Sequence, residues 1–492
     1  MSGPLFTRVL IANRGEIAVR VARTCRALGI ETVVPYEERD ASGLHRQRAD
    51  RSVEVGSYLD ADALIAAAHE QGCDAVHPGY GFLSENAGFA RAVTEAGLTF
   101  IGPPPEAMEV MGDKVRARAA MEAAGVPVVP GVTAADPEAL ASAAVDVGFP
   151  LLVKASAGGG GKGMVVVETA DELPDAARRA SSEALAAFGD GTVYAERLIR
   201  RPRHVEVQVF ADEVGPISLG ERECSIQRRH QKLIEETPSP AVNPELRARF
   251  EKAALDAAAA VDYRGAGTVE FLLGEDGELF FLEMNTRLQV EHPVTELVTG
   301  LDLVDLQLRV AAGQRIPDEL RSPEPRGHAI EARICAEEPA LGHLPQAGPL
   351  ALLRWPEGPG VRVDAGVREG GEASAHYDPM LAKIIAYGSD RDEARRRLAA
   401  ALRDTVTLGV ATNVEHLADV LEHPAFAAGD TTVDFLPEHL PAWPLPQDVP
   451  EVVAAASVLP MTSAATTGGS RSGPAIADPW DTVDGFRLGG GS

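Results

Sequence analysis

The stretch Gly267-Thr-Val-Glu270-Phe-Leu-Leu-Gly-Glu-Asp276-Gly277-Glu-Leu-Phe-Phe-Leu-Glu283-Met reads as two apolar strands joined by Asp-Gly, a strong short-range hairpin signal. With Asp276 and Gly277 as the two turn residues, pairing runs outward symmetrically and sets Glu270 opposite Glu283. Directly opposed carboxylates have Cβ atoms roughly 5 Å apart and repel each other. Phe271, Leu272, Phe281 and Leu282 predict cover on both faces of the ribbon, so a hard cation between the two acids would resolve the conflict. The chain continues as Asn285-Thr-Arg287-Leu-Gln289-Val-Glu291-His-Pro293. If extended geometry persists, its period of two points Glu283, Asn285, Arg287, Gln289 and Glu291 to one side. Oxygen ligands without a neighbouring His/Cys cluster favour Mg²⁺ or Mn²⁺, and Mg²⁺ held by one or two carboxylates typically completes its shell with substrate phosphates.

Around this hairpin, 492 residues provide for about three domains. The net charge of −27 argues against a nucleic-acid or anionic-membrane surface, both of which need a basic patch. Anionic substrates must then be met by locally placed cations. No basic-then-apolar leader opens the chain and no apolar run approaches the roughly 20 residues of a membrane helix, so a cytoplasmic location is expected. Cys25, Cys73, Cys224 and Cys335 form no Cys-x-x-Cys pair and read as small core residues. Lysine is scarce: Lys114, Lys154, Lys162, Lys232, Lys252 and Lys383 are the only six. In a chain this rich in arginine, a retained lysine marks a need for a compact point charge instead of a planar fork.

The pattern from Arg8 to Val34 is strand, helix and strand, a βαβ unit that repeats through Phe100 and predicts a Rossmann-like N-terminal domain over 1–110. No Gly-x-Gly-x-x-Gly follows the first strand, which removes support for a dinucleotide role. His77, in a turn-forming His-Pro-Gly-Tyr-Gly segment, is expected to be structural. A second domain over 111–325 holds a compact segment, about 126–200, whose glycine run suggests a mobile lid. A mixed α/β domain over 326–442 follows. Residues 443–492, rich in Pro, Ala, Ser, Thr and Gly, read as a flexible linker and the start of a further domain.

The loop Lys154-Ala-Ser-Ala-Gly158-Gly-Gly-Gly161-Lys162 follows an apolar strand. Successive glycines let backbone N–H groups approach phosphate oxygens, with lysines at either end. It is not a Walker loop, because the Gly-Lys-Ser/Thr ending is missing. Val193-Tyr-Ala-Glu196-Arg-Leu-Ile199 is a short strand able to present a carboxylate and backbone groups to an adenine edge. Arg203-His204-Val-Glu206-Val-Gln208 alternates polar and apolar residues, and Glu221 to Lys232 packs charged and amide groups densely.

Together with Ile11-Ala-Asn-Arg-Gly-Glu-Ile-Ala, His77-Pro-Gly-Tyr-Gly-Phe-Leu-Ser-Glu-Asn, Gly112-Asp-Lys114, Gln227-Arg-Arg-His-Gln-Lys232 and Glu283-Met-Asn-Thr-Arg-Leu-Gln-Val-Glu-His-Pro-Val-Thr-Glu296, these motifs give a chain that closely resembles the biotin carboxylase component of biotin-dependent acyl-CoA carboxylases, from about Arg8 to Leu440. The resemblance implies an α/β protein with an ATP-grasp central domain. It also implies ATP-, Mg²⁺- (or Mn²⁺-) and bicarbonate-dependent carboxylation of biotin on a carrier, by a homodimer serving a carboxyltransferase (β) subunit. Position by position, it implies that Lys114 and Lys154 contact ATP phosphates under a lid bearing Gly160 and Gly161. Glu196, Arg197, Leu198 and Ile199 would frame adenine, and His204, Gln227 and His230 the ribose and phosphates. Glu270, Glu283 and Asn285 would hold the metals. Lys232, Arg287, Gln289 and Val290 would hold bicarbonate, Glu291 would be its base, and Arg333 would steady the biotin enolate.

The sequence departs from the family pattern at Pro35-Tyr36-Glu-Glu-Arg-Asp40, at Cys335 and at His343-Leu-Pro-Gln-Ala-Gly348. No Met-Lys-Met biotinylation motif is present, so the carrier is expected on another chain or on a removed C-terminal part, and Asp478 to Leu488 resembles the start of the domain that follows in longer α chains. Another ATP-grasp ligase forming a carbon–nitrogen bond through an acyl phosphate, or a non-catalytic docking scaffold, are the alternatives. The Arg287-to-Glu291 series with Arg333 speaks against the first, and the presence of every candidate catalytic residue against the second.

Overall fold

Strand β1 (Arg8–Ile11) carries Val9, Leu10 and Ile11, all fully buried, as expected for a strand covered on both faces. The computed structural model describes residues 5–444 except 135, 156–163 and 189–190. Met1–Trp443 form one compact unit; the linker and following-domain expectation for 443–492 falls almost wholly outside the described residues. With β2 (Glu31–Tyr36), β3 (Arg51–Glu54), β4 (Ala75–His77) and β5 (Thr99–Phe100), β1 builds a parallel sheet in the order β3-β2-β1-β4-β5. The βαβ reading predicts this, but not β3, whose Arg-Ser-Val-Glu sequence has a single apolar residue. Short charged strands of this kind are typical of protected sheet edges. His77 is structural as expected: its Nδ1 accepts from Gly79 N–H at 3.0 Å and its Nε2 lies 3.3 Å from Gln307 Oε1.

A second sheet, β6 (Gly131–Ala134), β7 (Leu151–Ala155), β8 (Val165–Val167) and β9 (Val193–Arg197), is antiparallel in the order β6-β9-β7-β8. It packs on the helix Leu173–Phe188 through its own core of Leu140, Leu151, Val153, Val167, Leu173 and Val193. This is the segment expected to be a lid. Its glycine run, with Gly160 and Gly161, lies outside the described residues.

The third sheet has eight strands: β10 (Arg203–Asp212), β11 (Gly215–Arg228), β12 (Gln231–Thr237), β13 (Gly265–Leu273), β14 (Leu279–Asn285), β15 (His328–Cys335), β16 (Val361–Ala365) and β17 (Met380–Gly388). Their order is β14-β13-β10-β11-β12-β15-β17-β16 and every pairing is antiparallel. Because β12 pairs with β15, one sheet runs unbroken from the residues before 325 into those after 326.

The opening hairpin forms, with a different turn. Gly274 N–H bonds Glu278 carbonyl, and Gly277 takes φ +79°. The loop is therefore the three residues Glu275-Asp276-Gly277, with glycine in the left-handed position that ends such loops. This shifts the register by one from the symmetric expectation, pairing Leu273 with Leu279 and Phe271 with Phe281. A β-bulge beyond Phe271 takes up the extra residue, and Glu270 stands opposite Glu283 after all. The expectation that the strand continues to Glu291 is corrected: β14 ends at Asn285, and residues 286–291 form a loop into the helix His292–Thr299, with Glu291 at the N-cap position.

Candidate functional site

Cross-strand register assembles the site. Arg222 of β11, Glu206 of β10, Glu270 of β13 and Glu283 of β14 are successive partners in one row across the sheet. Gln208, Thr268 and Asn285 form the next row. Since side chains two apart along a strand share a face, His204, Glu206 and Gln208 all point the same way, and all three are buried. Three acids in one row repel one another. Lys232 of β12 answers this by reaching over them, with Nζ 2.5 Å from Glu206, 2.8 Å from Glu270 and 2.6 Å from Glu291.

The charges shift accordingly. Burial opposes the Lys232 ammonium, yet its three carboxylates raise its pKa well above the usual lysine value. Burial would raise Glu270, but Lys232 and His204, whose Nε2 is 2.8 Å away, hold it well below the carboxylate range. Glu283 goes the other way, raised by its protein surroundings and by the charge of Glu270. Glu291 is ionised: burial disfavours this, but Lys232 and Arg333 hold its pKa far below the ordinary value. Arg333 Nη2 is 2.9 Å from Glu291 Oε2, and its Nε donates to Glu235 at 2.5 Å. Burial pushes Glu235 up to about 7.

The loop 286–291 brings its side chains to the site by hydrogen bonds instead of strand alternation. Gln289 Nε2 donates to Glu270 Oε1 at 2.7 Å, as does Asn285 Nδ2 at 2.8 Å, and Arg287 donates to Asn285 Oδ1 at 3.0 Å. Glu85, from the N-terminal sheet region, accepts from Thr286 N–H and from Arg287 Nε at 3.0 Å.

A cleft of about 1700 Å³ joins these groups to the second sheet. Its walls carry Lys114, Lys154, Glu196, Arg197, Leu198, Ile199, His204, Gln227, His230, Lys232, Glu270, Glu283, Asn285, Arg287, Gln289, Val290, Glu291 and Arg333. Every site residue expected from sequence, other than the two glycines outside the described residues, thus lines one cavity, which is larger than a single small-molecule pocket needs. Lys154 is ion-paired with Glu196, and burial lowers the pKa of Lys114 despite the nearby Glu283. Gln227 Nε2 is 2.8 Å from His204 Nδ1. At the tip of β11–β12, Arg229 and His230 form a two-residue loop between the paired Arg228 and Gln231 and both take the positive φ that such a loop requires, +50° and +63°; His230 lines the cleft.

Glu270, Glu283 and Asn285 offer carboxylate and amide oxygens, the donor set of a hard divalent cation. Glu270 and Glu283 stand directly opposite each other, and such a cation would offset their mutual repulsion.

Three participants have no role in the sequence reading. Glu206 anchors Lys232. Arg222, fully buried, donates to Glu206, Gln208, Thr268, Gln289 and Thr295. Glu85 fixes Arg287. The signal for Glu206 lay in the alternation of β10, where polar positions fall on a strand buried on both sides; Glu85 stood within the His77-to-Asn86 motif, but its role was hidden because its partner is 202 residues away.

Known proteins share the sequence and the fold of this chain. Residues 5–108 match the profile of the biotin carboxylase N-terminal domain, 113–319 that of the carbamoyl-phosphate synthase L chain ATP-binding domain, and 331–438 that of the biotin carboxylase C-terminal domain. The chain is 48% identical over 445 residues to a biotin carboxylase of Halalkalibacterium halodurans, covering 89% of this chain and 98% of that one. It is 46% identical over 497 residues to the mitochondrial methylcrotonoyl-CoA carboxylase subunit alpha of Dictyostelium discoideum, covering 98% of this chain and 70% of the relative. A similar solved structure is the biotin carboxylase domain dimer of Hydrogenobacter thermophilus 2-oxoglutarate carboxylase in complex with MgADP, ADP and bicarbonate, with TM-score 0.85, 43% identity, and coverage of 88% of this chain and 98% of that one.

Proposed function

Because this chain belongs to the biotin carboxylase family, we propose that its cleft performs the first half-reaction of a biotin-dependent carboxylase, using ATP and bicarbonate to carboxylate biotin. The observation that carries the reading is the meeting of Lys232, Gln289, Glu291 and Arg333 with the facing pair Glu270–Glu283 in one cavity.

In this reading the nucleotide lies between the second sheet and the eight-stranded sheet. Glu196 to Ile199 frame the base, His204, Gln227 and His230 flank the ribose and phosphates, and Lys114 and Lys154 neutralise phosphate charge. Glu270, Glu283 and Asn285 would hold Mg²⁺ or Mn²⁺, which when bound screens the charge that builds up during phosphoryl transfer. Lys232, Arg287, Gln289 and the Val290 backbone hold bicarbonate against the phosphates.

Glu291 then takes the bicarbonate proton. As it stands, Glu291 is in the correct, ionised form but is a weak acceptor, because Lys232 and Arg333 both bind it. Transfer of those two cations to bicarbonate and to biotin would release Glu291 to act as a base when both substrates are present. The deprotonated bicarbonate attacks the γ-phosphorus of ATP, ADP leaves, and the carboxyphosphate so formed breaks down to CO₂ and phosphate, the CO₂ then being attacked by the biotin ureido nitrogen once its proton is removed. Phosphate takes the ureido proton of biotin, and Arg333 offers fixed positive charge where the enolate oxygen develops. Closure of the second sheet over the cleft keeps water from the intermediate.

The biotin belongs to a carrier domain or protein, and a carboxyltransferase subunit receives the carboxyl group. The relatives support a subunit of a larger carboxylase working as a homodimer. We place it in the cytoplasm: four buried, unpaired cysteines fit a reducing compartment, and no helix among the described residues is long and apolar enough to cross a membrane. The decisive experiment is release of ADP from MgATP that requires bicarbonate and rises with free biotin. Release driven instead by an amine acceptor, with no response to biotin, would point to another ATP-grasp ligase.

A further inference from the structure

Lys383 is one of only six lysines, and its side chain is fully buried. On β17 it is the cross-strand partner of Arg333 on one side and of Asp364 on the other, so it shares a face of the sheet with the arginine assigned to the biotin enolate. It is not among the residues lining the cleft. Its Nζ donates to the backbone carbonyl of Val290 at 2.6 Å and lies 3.4 Å from Glu16 Oε1. A buried ammonium is costly to maintain, and this one is aimed at the peptide group that joins Val290 to Glu291.

The same loop is gripped on its other side, where Arg222 Nη2 donates to Gln289 Oε1 at 3.0 Å. Two buried cations thus hold this loop, Arg222 on the side-chain oxygen of Gln289 and Lys383 on the carbonyl of Val290. Of the acids around Lys383, Asp364 is held ionised despite its burial chiefly by Arg362, which donates to it at 2.7 Å, with Lys383 as a further contribution, whereas two others are ready to be neutral. Glu331, two residues before Arg333 on the same face, is fully buried with no hydrogen-bond partner on either carboxylate oxygen, and burial raises its pKa well above the usual value. Glu16, against Lys383 itself, is pushed up to about 7 by burial. Neither acid therefore requires the full charge of Lys383, whereas the Val290 carbonyl takes a direct hydrogen bond from it.

We propose that Lys383 is a positioning residue for bicarbonate: its ammonium sets the plane of the Val290–Glu291 peptide and so the placement of Gln289 and Glu291. The assignment rests on the reading that the 289–291 loop holds bicarbonate. A compact point donor on a thin stem suits this task where an arginine fork does not, which accounts for a lysine at this position in an arginine-rich chain. Misplacement of a reacting group by about 1 Å can cost on the order of 10²-fold in rate.

The test uses Lys383→Met and Lys383→Arg in the full chain. MgADP affinity is measured by calorimetry, and kcat and KM for bicarbonate by biotin-stimulated ADP release. Both variants should keep MgADP affinity within about threefold, while kcat/KM for bicarbonate falls about 10–100-fold in the methionine variant and less in the arginine variant. Unchanged bicarbonate kinetics overturns the proposal, as does a parallel loss of nucleotide affinity, which marks a purely structural lysine. If Lys383→Met does not fold, Lys383→Arg decides alone: a drop of at least about threefold with nucleotide affinity kept supports the assignment, and any other result overturns it. Gln289→Asn is the control for the underlying reading. If it leaves KM for bicarbonate unchanged, the assignment of the loop fails; if it raises KM and the Lys383 variants do not, only the role of Lys383 fails.

Discussion

Arg222 is the most heavily bonded side chain behind the cleft, and Arg222→Met measures what that buried network contributes. The guanidinium is fully buried and makes five hydrogen bonds: Nε to Glu206 at 2.5 Å, Nη1 to Gln208 at 2.7 Å and Thr295 at 3.0 Å, and Nη2 to Thr268 at 3.1 Å and Gln289 at 3.0 Å. Methionine retains most of the volume and none of the donors. Breaking a buried ion pair costs about 3–5 kcal/mol. Each neutral acceptor left without a donor adds up to about 1–3 kcal/mol, but hydroxyls rotate and amides flip, so these contributions do not simply sum. Lys232 still holds the other oxygen of Glu206, which keeps the loss near the ion-pair range. Equilibrium urea unfolding of Arg222→Met should therefore show a deficit of about 3–5 kcal/mol. Adding Glu206→Gln, which removes the stranded charge, should restore at least about 1 kcal/mol of it. In the enzyme assay KM for bicarbonate should rise, since Gln289 loses its anchor. A single variant within about 1 kcal/mol of wild type, or a double variant less stable than the single, refutes the reasoning.

Glu283→Gln should raise the Mg²⁺ concentration needed for half-maximal ATP cleavage by at least about tenfold, and EDTA should abolish cleavage in the wild type; a Mg²⁺ titration reads both. Arg333→Met should lower biotin carboxylation about 10²–10³-fold without lowering bicarbonate-dependent ATP cleavage assayed in the absence of biotin, because the variant removes one of the two cations that hold Glu291, a split visible by comparing the two assays. His45, His77 and His416 are each held at about 4 by burial. Their folded pKa values lie below the unfolded value of 6.5, so their neutral forms cost nothing above that pH and stability is lost as pH falls from 6.5 toward 4. At pH 5 the loss is about 2 kcal/mol for each. His416 has no hydrogen-bond partner on either ring nitrogen, so His416→Leu should shrink the difference in urea stability between pH 7 and pH 5 by about that amount, and an unchanged difference counts against the assignment.

The sequence alone determined the parallel N-terminal sheet, the hairpin and the opposed pair Glu270–Glu283, because hydrophobic period and turn chemistry are local. Even there the route differed: a three-residue loop shifted the register and a bulge corrected it, two changes of one residue that cancel at Glu270. The residues that line the cleft were singled out by their motifs, yet the expected strand alternation from Glu283 to Glu291 was wrong beyond Asn285. Those side chains converge because Glu270 accepts from Asn285, Gln289 and Lys232, all through one carboxylate oxygen.

What only the tertiary structure decided is the charge state of the site and the scaffold behind it. A pKa depends on what lies within a few ångströms, and here those neighbours are remote in sequence: Glu85 reaches Arg287, Arg222 reaches Gln289 and Thr295, and Lys383 reaches Val290 across 93 residues. Period and spacing report which side of a strand a residue faces. Which strands then lie side by side, and so which acid meets which base, is fixed by the folding of β12 against β15 and of the 286–291 loop onto the sheet.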